Sequence, residues 1–117
     1  MAELPSFPQP LTGLSVRRAA LQDVDGHYAY LLANAGLPAA ERFLQALTVS
    51  YRLLVAMPRM AQRYGFRSQS LSTLRRWPVS GFENWLILYR PRRRGIVLLR
   101  VLHGARDIPK QMAPPRE

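Results

Sequence analysis

Ile96-Val97-Leu98-Leu99-Arg100-Val101-Leu102-His103-Gly104-Ala105-Arg106-Asp107-Ile108 is the stretch whose reading decides the fold. If its first seven residues are extended, Val97, Leu99 and Val101 share one face and Ile96, Leu98, Arg100 and Leu102 the other, because side chains alternate along a strand. Both faces are apolar apart from one arginine, the signature of a central strand. Gly104 then permits a sharp change of direction, and Arg106 with Asp107 can hydrogen-bond locally around the turn. The stretch therefore reads as the last, central strand of a small sheet.

Immediately upstream, Asn84 to Arg90 is an apolar run of strand length, joined to the central strand by Pro91-Arg92-Arg93-Arg94-Gly95. That connection predicts a β-hairpin with a left-handed residue at Gly95. Before it, Leu74 to Val79 reads as a strand whose Pro78 implies an edge or a bulge, since proline cannot donate to a ladder. Arg59 to Ser72 is polar and without period, hence a loop. Further back the period changes to that of helices. Ala20, Val24, Tyr28 and Leu31 form one apolar stripe, and Ala40, Phe43, Leu44, Leu47, Tyr51 and Leu54 form a second. Gly36 stops the first helix, Pro38 suits the first turn of the next, and Met57-Pro58 ends it. So short a connection forces the helices antiparallel, offering a joint apolar face to the sheet. A short strand around Leu14 to Arg17 precedes them.

The fold class expected is α+β: an N-terminal short strand, then an antiparallel helical hairpin packed on a small, mainly antiparallel β-sheet. Residues 14–110 form the single domain. Residues 1–13, with Pro5, Pro8 and Pro10, are expected to be a flexible arm, and residues 111–117, with Pro114-Pro115, an irregular tail. One sheet face receives the helices; the other needs a cover the chain does not obviously supply.

Composition limits the function. The chain has 117 residues, 48% of them hydrophobic, enough for a single core. It has no cysteine, which excludes disulfides, thiolate metal sites and cysteine nucleophiles and suits a reducing cytoplasm. No run of about 18 apolar residues is present to span a membrane, and Met1 to Pro10 lacks the pattern of a secretory signal. Of 17 basic residues all but Lys110 are arginines, and against 7 acidic residues they leave a net charge of +10. Guanidinium groups pair with phosphate and carboxylate alike, so an acidic partner is expected, although codon usage in a GC-rich genome also enriches arginine.

Chemical motifs are sparse. His27 and His103 lie far apart without metal-ligand spacing, and the glycines form neither a P-loop nor a dinucleotide fingerprint, so no metal and no cofactor is expected. Ser68, Ser70 and Ser72 read as solvated loop polarity. Trp77 and Trp85 could stack on bases beside Arg75, Arg76 and Arg90, but large aromatics in a small sheet more often anchor a core. His103 has an unperturbed pKa near 6.5, suited to general acid or base work, and more often such a residue closes a strand end.

The order of elements, Arg18-Ala19-Ala20-Leu21-Gln22-Asp23, Phe43-Leu44, Pro58, Leu74-Arg75-Arg76, Ile87-Leu88-Tyr89-Arg90 and above all Arg100-Val101-Leu102-His103-Gly104-Ala105-Arg106-Asp107 together resemble the ParE toxins of the RelE/ParE superfamily. The resemblance spans about Leu14 to Ile108. It implies the growth-inhibiting toxin of a type II toxin-antitoxin pair, of the kind that stabilises plasmids. It also implies a ParD-like ribbon-helix-helix antitoxin whose C-terminal segment wraps the toxin. The ParE-like branch poisons DNA gyrase; the RelE-like branch cuts messenger RNA on the ribosome. Aligned on Tyr89 and Gly104, the ribonuclease branch would place an arginine where Leu86 stands, and a tyrosine near Met112. Only Arg106 matches, at a position both branches share. The gyrase reading is therefore preferred and no enzyme is expected; were the chain a ribonuclease, Arg106 and His103 would be the weak catalytic candidates.

From this follow the site expectations. Leu98, Arg100 and Leu102, with Arg76 and Trp77, are expected to bind the antitoxin, so that Glu at Leu98 or Arg100 would weaken it. Arg92, Arg93, Arg94 and Arg106 are expected to contact the target, because a charged hairpin tip can reach another macromolecule. A third reading, a non-toxic basic nucleic-acid-binding domain, predicts affinity that falls steeply with salt.

Overall fold

The computed structural model describes residues 11–61, 63 and 74–104. A short strand, β1 (Leu14–Val16), leads into two helices, α1 (Arg18–Ala35) and α2 (Leu37–Ala56), followed by strands β2 (Arg75–Val79), β3 (Phe82–Arg92) and β4 (Gly95–His103). The sheet order is β1-β4-β3-β2. β1 runs parallel to β4, and the other two pairings are antiparallel. The molecule is an α+β fold with a mostly antiparallel, mixed sheet, and β4 is central as its two-sided apolarity implies. Residues 1–10 of the expected arm lie outside the described residues, as do 62 and 64–72 of the expected loop, residue 73 and everything from Ala105 onward.

The helical hairpin forms for the reasons its sequence suggests. Ala20, Val24 and Leu31 are buried on α1, and Ala40, Phe43, Leu47, Tyr51 and Leu54 on α2. Gly36 alone joins the helices, at φ 93°, and its N–H donates to the carbonyl of Leu31. A left-handed residue there turns the chain back within one position, which few residues but glycine tolerate. Between helices and sheet, Phe43 meets Phe82 and Trp85 edge-to-face at centroid distances of 5.3 and 5.6 Å. Fully buried side chains of this size each stabilise by roughly 1.5–3 kcal/mol relative to exposure, so the hairpin is held chiefly by this face.

Two boundaries differ from expectation. β3 continues through Pro91 and Arg92, which pair with Ile96 and Gly95. The hairpin tip is therefore Arg93-Arg94 alone, with Gly95 left-handed at φ 106° as expected. β3 also starts earlier, at Phe82, because Gly81 at φ 78° closes a tight turn out of β2. Pro78 fulfils both of its readings: β2 is an edge strand, and the register shifts between Pro78 and Val79.

The larger correction concerns β4. Leu88 pairs with Arg100 but Tyr89 with Leu98, so Leu99 is an extra residue in the ladder. Such a bulge reverses the alternation beyond it. Ile96, Leu98 and Val101 consequently belong to the helix-side core, while Leu102 lies on the opposite face with Leu74 and Leu88. Strict alternation had put Leu98 and Leu102 together; the bulge separates them. Leu74, Leu88 and Leu102 are moreover buried in the chain by itself, so the second face is not wholly uncovered as expected. Its accessible part is the half-buried Leu86 and Leu99, flanked by Arg76, Arg90 and Arg100.

Candidate functional site

β1 stops at Val16, opposite Leu98, and leaves the remainder of β4 with an unpaired edge. Helix α1 closes it with two side chains one turn apart. Asp23 accepts from the backbone N–H of Val101 at 3.0 Å, and His27 Nε2 donates to the carbonyl of the same residue at 2.6 Å. A carbonyl only accepts, so Nε2 carries the proton. The Asp23 carboxylate also takes a two-pronged bond from Arg100, with Nε to Oδ2 at 2.7 Å and Nη2 to Oδ1 at 2.9 Å. Both groups are largely withdrawn from water, and the forked geometry is the strong form of this pair. An open strand edge invites pairing with another chain; here α1 satisfies it.

This arrangement decides the fate of several expected contacts. Arg100 is committed to Asp23 inside the chain, Leu98 is fully buried beneath the helices, and Leu102 is 2% exposed. A glutamate at Leu98 or Arg100 would therefore test folding rather than docking. Arg76 and Trp77 instead line a groove of about 440 Å³ with Pro78, Glu83 and Leu86, on the edge strand. They point to opposite faces: Trp77 pairs with Ile87 and packs on the helix-side core, and Arg76 pairs with Leu88 on the outer face.

The aromatic residues are core. Trp85 packs edge-on with His27, Phe43, Phe82 and His103, at 5.9, 5.6, 6.2 and 5.0 Å. His103 is thus a half-buried ring packed on Trp85, on the same face as Val101. Among the described residues no group of three or more His, Cys, Asp or Glu comes together. Arg106 lies outside the described residues. No helix among them is long and apolar enough to cross a membrane.

At the other end of the sheet, Arg92 at the end of β3 and Arg93 and Arg94 on the tip are exposed. Beside it Arg59, Arg63, Arg75 and Pro91 surround a cavity of about 180 Å³. The segment after α2 is tied down there by side chains of the sheet. Tyr89 donates its hydroxyl to the carbonyl of Pro58 at 2.7 Å, and Arg75 Nη1 donates to those of Arg59 and Ala61 at 3.2 and 2.6 Å. Burial pushes the Tyr89 hydroxyl above its usual pKa, against the smaller opposing effects of Arg75 and the Ala61 backbone.

Sequence reading missed Asp23 and His27 as a pair. The signal was present: positions 20, 23, 24, 27, 28 and 31 lie on one helix face, so two polar residues border the apolar stripe. What they bind could not be read, because the free edge of β4 exists only once β1 has stopped short.

A helical hairpin on one face of a four-stranded mixed sheet defines a small protein of α+β class. Its lineage is specific: the model of the family described as ParE toxin of type II toxin-antitoxin system, parDE, matches residues 14–108, and the chain belongs to that family. Among solved structures it is similar to a chain of the chromosomal ParDE TA system from P. aeruginosa, with a TM-score of 0.64 and 18% identity, covering 78% of this chain and 94% of that one. At this identity the likeness concerns the fold. No curated protein matches the sequence.

Proposed function

We propose that this ParE-family toxin arrests growth by binding and poisoning DNA gyrase in the cytoplasm, and that a ParD-like ribbon-helix-helix antitoxin neutralises it. The family match over residues 14–108 carries this reading. Leu86 supports it against RNA cleavage: where the ribonuclease branch would hold a phosphate-stabilising arginine, an apolar side chain lines a groove with Trp77 and Pro78. The toxin acts as a ligand of its target, not as a catalyst. Arg92, Arg93 and Arg94 make the target contact.

The antitoxin surface is narrower than the sequence suggested. It is the groove of Arg76, Trp77 and Leu86, where apolar wall and guanidinium adjoin and an acidic, apolar segment finds both partners. Leu86→Glu is expected to weaken the cognate antitoxin by at least about tenfold, roughly 1.4 kcal/mol, in a calorimetric titration. Unchanged affinity would place the antitoxin elsewhere.

Pulse incorporation of labelled thymidine and labelled methionine, run in parallel during the first minutes after induction without antitoxin, tests the target. An early fall in thymidine with methionine sustained is the result expected. An early fall in methionine would overturn the gyrase reading in favour of ribosome-dependent cleavage.

A further inference from the structure

The arginine-rich end of the molecule contains more than the hairpin tip. The end of α2, the segment Met57 to Ala61, the start of β2 and the β3–β4 tip converge there. Gly13 approaches both Val55 and Gly95, and Arg63 bridges to Arg75. Six arginines gather at this end as a result: Arg59, Arg63 and Arg75 around the cavity, Arg92 at the end of β3 next to Pro91, and Arg93 and Arg94 on the tip. The acids among the described residues, Asp23, Asp25, Glu41 and Glu83, belong to α1, α2 before its midpoint and the start of β3. None lines this cavity.

We infer that this end binds the phosphodiester backbone of duplex DNA, with the Arg59–Arg63–Arg75 cavity seating one phosphate and the hairpin tip following the strand to the next. Three features favour this ligand. Protein interfaces deplete charge at their centre and place aromatic or aliphatic anchors there, whereas interfaces with DNA are polar and strongly positive. The cavity is lined by three guanidinium side chains and a proline, which is the second kind. Single strands are held by exposed aromatic platforms, whereas none of the side chains that line the cavity is aromatic. Finally, the cradle is preorganised: Arg75 and Tyr89 hold the carbonyls of Pro58, Arg59 and Ala61, so the backbone carrying Arg59 is already placed. The inference gives chemical content to the proposed target contact but is tested without gyrase, so either can fail alone.

Fluorescence anisotropy of a short labelled DNA duplex, titrated with the full chain between about 50 and 200 mM salt, tests it. The triple variant Arg59→Gln, Arg93→Gln, Arg94→Gln is compared with Arg17→Gln, Arg18→Gln, Arg42→Gln, which removes the same charge from exposed positions elsewhere. Arg75 is left intact because it holds the segment in place. Each phosphate contact contributes about 0.9 to the slope of log affinity against log salt, so the first variant is expected to lose about 2–3 from that slope and at least about tenfold in affinity. The second is expected to stay within about threefold of the parent. Equal losses in both triples would reduce the effect to net charge and overturn the inference, as would absence of binding by the parent. Polyglutamate displacing the duplex at equal charge concentration would also overturn it, assigning the surface to acidic protein.

Discussion

Replacing Asp23 by Ala removes three hydrogen bonds at once, two from Arg100 and one from the Val101 backbone N–H, and takes the carboxylate away from a half-buried guanidinium. A loss of about 2–4 kcal/mol is expected in urea denaturation, because stranding the partner of a withdrawn ion pair costs more than the pair contributes. Arg100→Ala should cost less, and the double variant little more than Asp23→Ala, a coupling that a double-mutant cycle reads directly. The tyrosines give a pH prediction. Burial raises the hydroxyl pKa of Tyr51 far above the usual value of 10, and that of Tyr89 in the same direction. The unfolded chain therefore releases these protons first as pH rises past 10. Stability is fully present below pH 10 and is expected to fall above it, by about 1.4 kcal/mol per pH unit from Tyr51, with Tyr89 adding in the same direction. Tyr51→Phe should flatten that decline in denaturation curves taken at successive alkaline pH values; an unaltered decline would mean that Tyr51 is not its source. Residue types alone pointed to Trp85 as core and to the arginines as binding groups. They were silent on Asp23, whose meaning depends on a strand edge 78 positions away.

Among the elements, the β3–β4 hairpin has the narrowest tolerance. Gly95 sits at φ 106°, and a Cβ there would run into the backbone of Gly13, whose carbonyl accepts from Ile96 N–H at 2.8 Å. Gly95→Ala is expected to cost more than about 2 kcal/mol, combining backbone strain with a clash that only displacement of the chain before β1 can relieve. A thermal midpoint unchanged from the parent would show that the two segments are not in contact. The hairpin, the helix pair and the edge strand with its proline were legible beforehand, since each is written in local punctuation: Gly36, Pro38, Pro58, Pro78 and Gly95. The bulge at Leu99 was not. An apolar run such as Ile96 to Leu102 looks the same in either register, and only the partners across the ladder, Tyr89 with Leu98 and Leu88 with Arg100, show where the parity changes.

For the whole molecule, Val24 and Leu31 of α1, Phe43 and Tyr51 of α2, and Trp85 and Tyr89 of β3 join both helices to the sheet in one cluster. Unfolding is therefore expected to be a single transition, with helical circular dichroism and tryptophan fluorescence coincident in denaturant. Separate midpoints would mean that the helical hairpin undocks by itself. The charge imbalance, the absence of cysteine and the family signature were properties of the chain as written, and with the two periodicities they determined the fold class and the ParE lineage. Helical and strand repeats depend on neighbours a few residues apart, so the sequence displays them directly. The tertiary structure alone decided which residues are buried and which are left at the surface. It turned Leu98 inward, committed Arg100 to Asp23, buried Leu102, and drew Arg59, Arg63 and Arg75 together around one cavity. Those outcomes depend on an extra residue in one ladder, on where a three-residue strand ends and on which carbonyls a guanidinium can reach, relations between distant segments that exist only once the chain has packed.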